Sequence, residues 1–177
     1  ANKVALSKKY GVRINWVPLG IGGSHLVSLP SKDPLFLDRV LIVDADTTVP
    51  KDAAARGNTV KLPSVPGAVG VARSLENTIK QFLRDISTAQ EGPLHEALLK
   101  LSTVNPSSDK IHVNFFQDGL GESTKRENTK AWWKKNWSRL KKWGVIQQWA
   151  AVYKAETDAF EVAFENSVAH TAARLNK

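Results

Sequence analysis

Four consecutive apolar residues, Val40-Leu41-Ile42-Val43, run into a turn that carries two carboxylates one residue apart, Asp44 and Asp46. A short apolar run bounded by polar residues reads as a strand buried on both faces, the pattern of a parallel sheet. Parallel strands need crossover connections, so helices must lie between the strands and cover both faces. In open α/β sheets ligands bind outside the carboxyl ends of the strands, which is where Asp44 and Asp46 fall. Two carboxylates so close repel unless a proton or a cation intervenes, and a hard divalent ion such as Mg²⁺ resolves the conflict.

The flanking segments fit that frame. Ala1 to Tyr10 reads as the last turns of a helix stopped by Gly11, and Val12 to Leu19 as a strand. Gly20-Ile21-Gly22-Gly23-Ser24 is a glycine turn whose N–H groups can face a phosphate or a bound water, followed by a short helix or turn over His25 to Pro30. Thr47 to Asn58 reads as a polar loop, Thr59 to Leu62 as a short strand, and Pro63 to Gly70 as a loop. Ser74 then caps a helix with Glu76 in its first turn and an apolar stripe at Leu75, Ile79, Phe82, Leu83 and Ile86. The fold class expected is α/β, a mainly parallel sheet flanked by helices over residues 1–90. Glu91-Gly92-Pro93 marks a boundary, and residues 91–177 read as a mainly helical extension. Within it we expect a helix over Leu94 to Leu101, a polar turn region over Val104 to Asp109, an extended piece over Ile111 to Phe116 and a loop over Gln117 to Ser123. Two long helices follow, Thr124 to Trp143 and Val145 to Leu175, the second broken near Thr157.

Composition narrows the chemistry. The 177 residues include no cysteine, which excludes disulfides, zinc-thiolate sites and thiol nucleophiles and accords with a reducing cytoplasm. The four histidines show no metal-ligand spacing. No segment approaches the roughly 20 apolar residues of a membrane span, so no membrane partner is expected. The chain has no methionine and begins at Ala1, which suggests a processed protein or a fragment of a longer one. A formal charge of +8 favours a polyanionic partner. Much of that charge falls on Lys125, Arg126, Lys130, Lys134, Lys135, Arg139, Lys141 and Lys142, against one acid, Glu127. On a helix Arg126 and Lys130 share a face, as do Lys135 and Arg139, and such rows suit a phosphate backbone. The tryptophans interleaved with them read mainly as packing residues.

Taken in order, these pieces resemble the Toprim nuclease region of the overcoming-lysogenization-defect family. The likeness rests on Leu19-Gly20-Ile21-Gly22-Gly23-Ser24, on Leu41-Ile42-Val43-Asp44-Ala45-Asp46, and on Leu62-Pro63 followed by Ser74-Leu75-Glu76 and Phe82-Leu83. A further match is Arg126-Glu127-Asn128-Thr129-Lys130-Ala131-Trp132. The resemblance implies a Toprim-like fold that lacks its first strand here, together with that strand's essential glutamate, since the first acidic residue of this chain is Asp33. It implies phosphodiester cleavage of DNA, with Asp44, Asp46 and Glu76 holding Mg²⁺ or Mn²⁺ and Lys130 neutralising transition-state charge. It assigns nucleic-acid contacts to Arg126, Lys125, Lys134, Lys135, Gly22 and Gly23. An ATPase domain earlier in the same natural polypeptide and a homo-oligomer are implied as partners.

Two other readings stand beside it. Asp44-Ala45-Asp46-Thr47-Thr48-Val49 also fits the DxDxTV signature of haloacid-dehalogenase-like phosphatases, in which Asp44 is the nucleophile and Asp46 the acid/base. That chemistry needs a later acidic pair for the metal, and nothing like GDxxxD occurs. Alternatively the chain is a non-catalytic DNA-binding or assembly module.

Overall fold

The computed structural model describes residues 3–65, 73–106 and 110–176. They are mostly helical and contain one small parallel sheet, an α/β arrangement. The chain divides into two compact units, Ala1–Pro63 with Ala155–Lys177, and Ser64–Lys154. This division differs from the boundary expected near residue 90. The reason lies in the apolar faces described next: the last helix belongs with the strands, and the helix after Ser74 belongs with the other helices.

In the first unit, helices α1 (Lys3–Tyr10) and α2 (Gly23–Lys32) and a 3₁₀ turn (Pro34–Asp38) precede strand β1 (Leu41–Val43). Helix α3 (Lys51–Ala55) then leads to β2 (Thr59–Lys61). The strands pair in parallel, Ile42 opposite Val60. The expected polar loop over Thr47 to Asn58 therefore contains the crossover helix: three alanines favour it, and Asp52 and Arg56 pair across one turn at 3.3 Å. One face of the sheet packs Val40, Ile42 and Val60 against Leu6 of α1 and Phe164 and Val168 of α9 (Lys154–Leu175). The other buries Val43 with Val27 of α2 and Ala53 of α3. Asn58 is buried where the strands begin, and its amide donates to the carbonyls of Phe36, Leu37 and Arg39 at 3.0–3.4 Å.

The strand expected over Val12 to Leu19 does not form among the described residues. The backbone from Val12 to Gly22 runs without turn or bend, yet beyond the amide of Val12, which bonds Ser7, residues 13–20 make no backbone hydrogen bond among the described residues. A strand exists only with a bonded neighbour, and among the described residues this segment has none.

The second unit holds α4 (Leu75–Thr88), α5 (Gly92–Val104), α6 (Ile111–Phe115), α7 (Arg126–Lys142) and α8 (Val145–Val152). The stripe of α4 is buried as expected, and Ser74 accepts from the Asn77 amide at 3.5 Å. The extended piece expected over Ile111 to Phe116 is instead helical. Ile111 and Phe115, four residues apart, both turn into the core, so the helical period wins over the short alternation. Trp132 is fully buried there and donates its indole N–H to the Phe115 carbonyl at 2.6 Å. Trp143 meets Phe115 edge to face at 5.3 Å, and Trp149 joins the same cluster. Gly144, at φ 70°, separates α7 from α8, and the break expected near Thr157 falls at Tyr153. Most of the expected loop over Pro63 to Gly70, and the end of the turn region over Val104 to Asp109, lie outside the described residues.

One core cation stands out. Lys80 on α4 is 4% exposed, donates to the carbonyls of Ser123 (2.8 Å) and Leu120 (3.4 Å), and sits over the Trp132 ring. Burial, and then the nearby Arg84 charge, hold its pKa below the ordinary lysine value of 10.5. The unfolded chain therefore keeps this proton at a pH where the folded chain releases it. Linkage makes the Lys80 contribution to stability rise with pH between the lowered folded value and 10.5. Denaturant unfolding of the native chain and of Lys80→Met, compared from pH 7 to above 10, is expected to show the native chain gaining relative to the variant across that window. A pH-independent difference contradicts the assignment.

Candidate functional site

At the end of β1 the chain turns sharply, and the Thr47 amide bonds the Asp44 carbonyl at 3.0 Å. Alternation through this turn buries Ala45 and Thr47 and leaves the side chains of Asp44 and Asp46 exposed. Both predicted acidic residues thus stand together at the carboxyl end of a parallel strand, as the sequence indicates.

The glycine turn arrives at the same place. Gly22 caps α2, and its carbonyl accepts from the amides of His25 and Leu26, both at 3.0 Å. The amides of Gly23 and Ser24 precede the first intrahelical bond and have no backbone partner among the described residues. A Cβ built on Gly23 falls 2.2 Å from Thr47 Oγ1 and 2.8 Å from its Cγ2, so only glycine lets α2 begin this close to the acidic turn. The positive end of the α2 dipole is therefore set against the residue that follows Asp46.

The other predicted residues lie on the second unit. Glu76 is half-buried in the first turn of α4. Along α7, Lys125, Arg126, Lys130 and Lys134 are exposed and have no ion-pair partner among the described residues. Lys135 differs. It binds Asp118 at 2.6 Å, and that hydrogen bond is the main reason the Asp118 carboxyl sits below its ordinary pKa. Arg139 donates to the Asn114 carbonyl and lies over the Phe115 ring. Lys135 and Arg139 thus fasten α7 to its own unit.

Sequence pattern alone does not tell which tryptophan of α7 stays outside the core. Trp137 is 41% exposed, 5.2 Å from the Trp133 ring, with the Lys141 ammonium 5.8 Å from its centroid. Arg126, Lys130, Trp133, Trp137 and Lys141 recur at three- and four-residue spacing, so one face of α7 carries cations interleaved with indole rings. The helical wheel contains this signal once the buried side is fixed by Trp132, Asn136 and Leu140.

Among the described residues, no three His, Asp or Glu side chains gather as a metal-holding group. Asp44 and Asp46 remain as a carboxylate pair on one turn. No family model, curated protein or solved structure matches the chain.

The Gly23 contact makes a direct prediction. Gly23→Ala must push Thr47 away, at about 1–3 kcal/mol of overpacking, and shift the acidic turn. Gly22→Ala, whose nearest neighbour would be His25 Nδ1 at 3.7 Å, leaves stability unchanged. Denaturant unfolding of the two variants checks the contrast.

Proposed function

We propose that this chain carries a Toprim-like, metal-dependent phosphodiester-cleaving region that acts on DNA. The observation that carries the reading is the approach of Gly23 to Thr47, which brings helix N-terminal amides with no backbone partner among the described residues to a turn bearing two exposed carboxylates. Amides aimed at an anion beside carboxylates suited to a cation make a site for a phosphate and its counter-ion.

The donor set fits Mg²⁺ or Mn²⁺, because Mg²⁺ is ordinarily held by one or two carboxylates together with substrate phosphate and water. Asp44 and Asp46 would hold it, and Glu76 is not counted among its ligands, because no three acidic side chains gather among the described residues. The ion, when bound, supplies electrostatic stabilisation of the attacking and leaving oxygens. The chain's own groups do the rest. The Gly23 and Ser24 amides orient a phosphate oxygen, and it is the family resemblance that gives Lys130 the neutralising of transition-state charge. The cationic face of α7 holds the flanking backbone, with Trp137 exposed among the phosphate contacts to meet a base.

Two measurements test this reading. Plasmid nicking with Mg²⁺ or Mn²⁺ is expected to fall by about a hundredfold or more in Asp44→Asn and Asp46→Asn, with far-ultraviolet circular dichroism unchanged. The assay is run on the full natural polypeptide, and no cleavage by it with either metal, or cleavage by both variants equal to that of the unaltered protein, removes the nuclease reading and leaves a DNA-binding module. Separately, Lys130→Ala and Lys134→Ala are each expected to weaken DNA binding irrespective of sequence and to reduce the salt slope by about 1. Lys135→Ala leaves the slope unchanged, because its ammonium is already held by Asp118.

A further inference from the structure

Helix α7 divides its cations between two flanks, and the division says what kind of polyanion it suits. With about 100° between successive residues, Arg126, Lys130, Trp137, Lys141 and Lys134 all fall within an arc of about 80°. The cations of that arc are exposed and have no ion-pair partner among the described residues. Lys135 and Arg139 stand on the far flank, and both are committed. Lys135 bonds Asp118 at 2.6 Å, and Arg139 bonds the Asn114 carbonyl and lies over the Phe115 ring. The outer ridge between the flanks carries Glu127, Ala131 and Ser138, all exposed and none positive. Helix α7 therefore offers one row of available cations along its length. From Arg126 to Lys141 the row runs about 22 Å, enough for a few phosphates of one strand.

A duplex sets two backbones against a helix. A helix seated in the major groove, about 12 Å wide, meets a phosphate wall on each side, so both of its flanks need free cations. A single strand brings one backbone and needs one row, which is what α7 has.

The indole within the row points the same way. Trp137 lies on the helix between Lys130 and Lys141 and is 41% exposed, with the Trp133 ring 5.2 Å away and the Lys141 ammonium 5.8 Å from its centroid. Trp133 is itself packed against the core, so Trp137 is backed by a fixed neighbour. Bases of a duplex cover one another's faces and leave none for an indole. An unpaired base has a free face, and stacking on it is tolerant of sequence. A ring among phosphate-binding cations thus finds a partner where the strand is unpaired.

We infer that α7 binds single-stranded DNA, with one backbone along the row from Arg126 to Lys141 and a base stacked on Trp137. The inference rests on the reading that the chain acts on DNA, and it narrows the substrate to DNA that is unpaired where α7 holds it.

Fluorescence anisotropy on the full natural polypeptide, with the divalent metal withheld so that no strand is cut, provides the test. The probes are an oligothymidine of about 16 nucleotides, an abasic strand with the same number of phosphates, a duplex of that length and the matching oligouridine. Oligothymidine is expected to bind about tenfold or more tighter than the abasic strand and the duplex. Trp137→Ala is expected to weaken oligothymidine binding about tenfold and to leave the abasic strand as it was, whereas Trp137→Phe, which keeps a ring, retains most of the affinity. Lys130→Ala weakens every probe, because it acts on the phosphates. Equal affinity for oligothymidine and duplex, or an equal loss on the abasic strand in Trp137→Ala, overturns the inference and leaves the proposed action on DNA standing. Tighter binding of oligouridine overturns DNA as the strand held. Binding of no probe removes this inference and the DNA reading together.

Discussion

The parallel pairing of β1 with β2 is the constraint from which the first unit follows. It obliges the chain to cross over between the strands, which α3 does within 44–58, and it leaves two sheet faces to be covered. Helices α1 and α9 close one face, α2 and α3 the other. It also directs both strands the same way, so the turn after β1 emerges beyond the covered sheet with Asp44 and Asp46 exposed. The close start of α2 against Thr47 sets the first residues of that helix beside the acidic turn.

The second unit is organised by a different interaction, the burial of aromatic rings with polar handles. Trp132 satisfies its indole N–H within the core on the Phe115 carbonyl, and Lys80 places its ammonium over the same indole. With Trp132, Asn136 and Leu140 committed inward, the cations of α7 have to leave by the remaining surface. They sort by chemistry: Lys135 and Arg139 bond to neighbouring segments, whereas Arg126, Lys130 and Lys134 face solvent without an acidic partner among the described residues.

The α/β character, the β1 and β2 strands, the capped helix after Ser74 and the acidic turn were legible in the sequence because each has a local cause. Apolar runs, a capping serine and an i, i+4 stripe act over a few residues. What the sequence left hidden depends on partners far along the chain. Val12 to Leu19 has strand composition, but a strand also requires a neighbour to bond, and composition does not supply one. Ile111 to Phe116 alternates enough to look extended, yet two apolar residues four apart settle it as a helix once a core is there to receive them. The proposed site was legible as residue types, since paired carboxylates and a glycine turn are short-range signals. That Gly23 must touch Thr47 was not, because it depends on how α2 meets the end of β1.

The composition of the first unit also bears on the order in which the chain acquires its shape. Its core joins Leu6 and Val60 to Phe164 and Val168, and Lys9 and Tyr10 both bond Glu165 at 2.5 and 2.9 Å, across more than 150 residues. The second unit lies wholly within that interval and closes on itself. As the polypeptide leaves the ribosome, the helical unit can consolidate as soon as α8 emerges, whereas the sheet waits with an open face until α9 has been made. Until then the apolar side chains of the strands are the surface most in need of a chaperone.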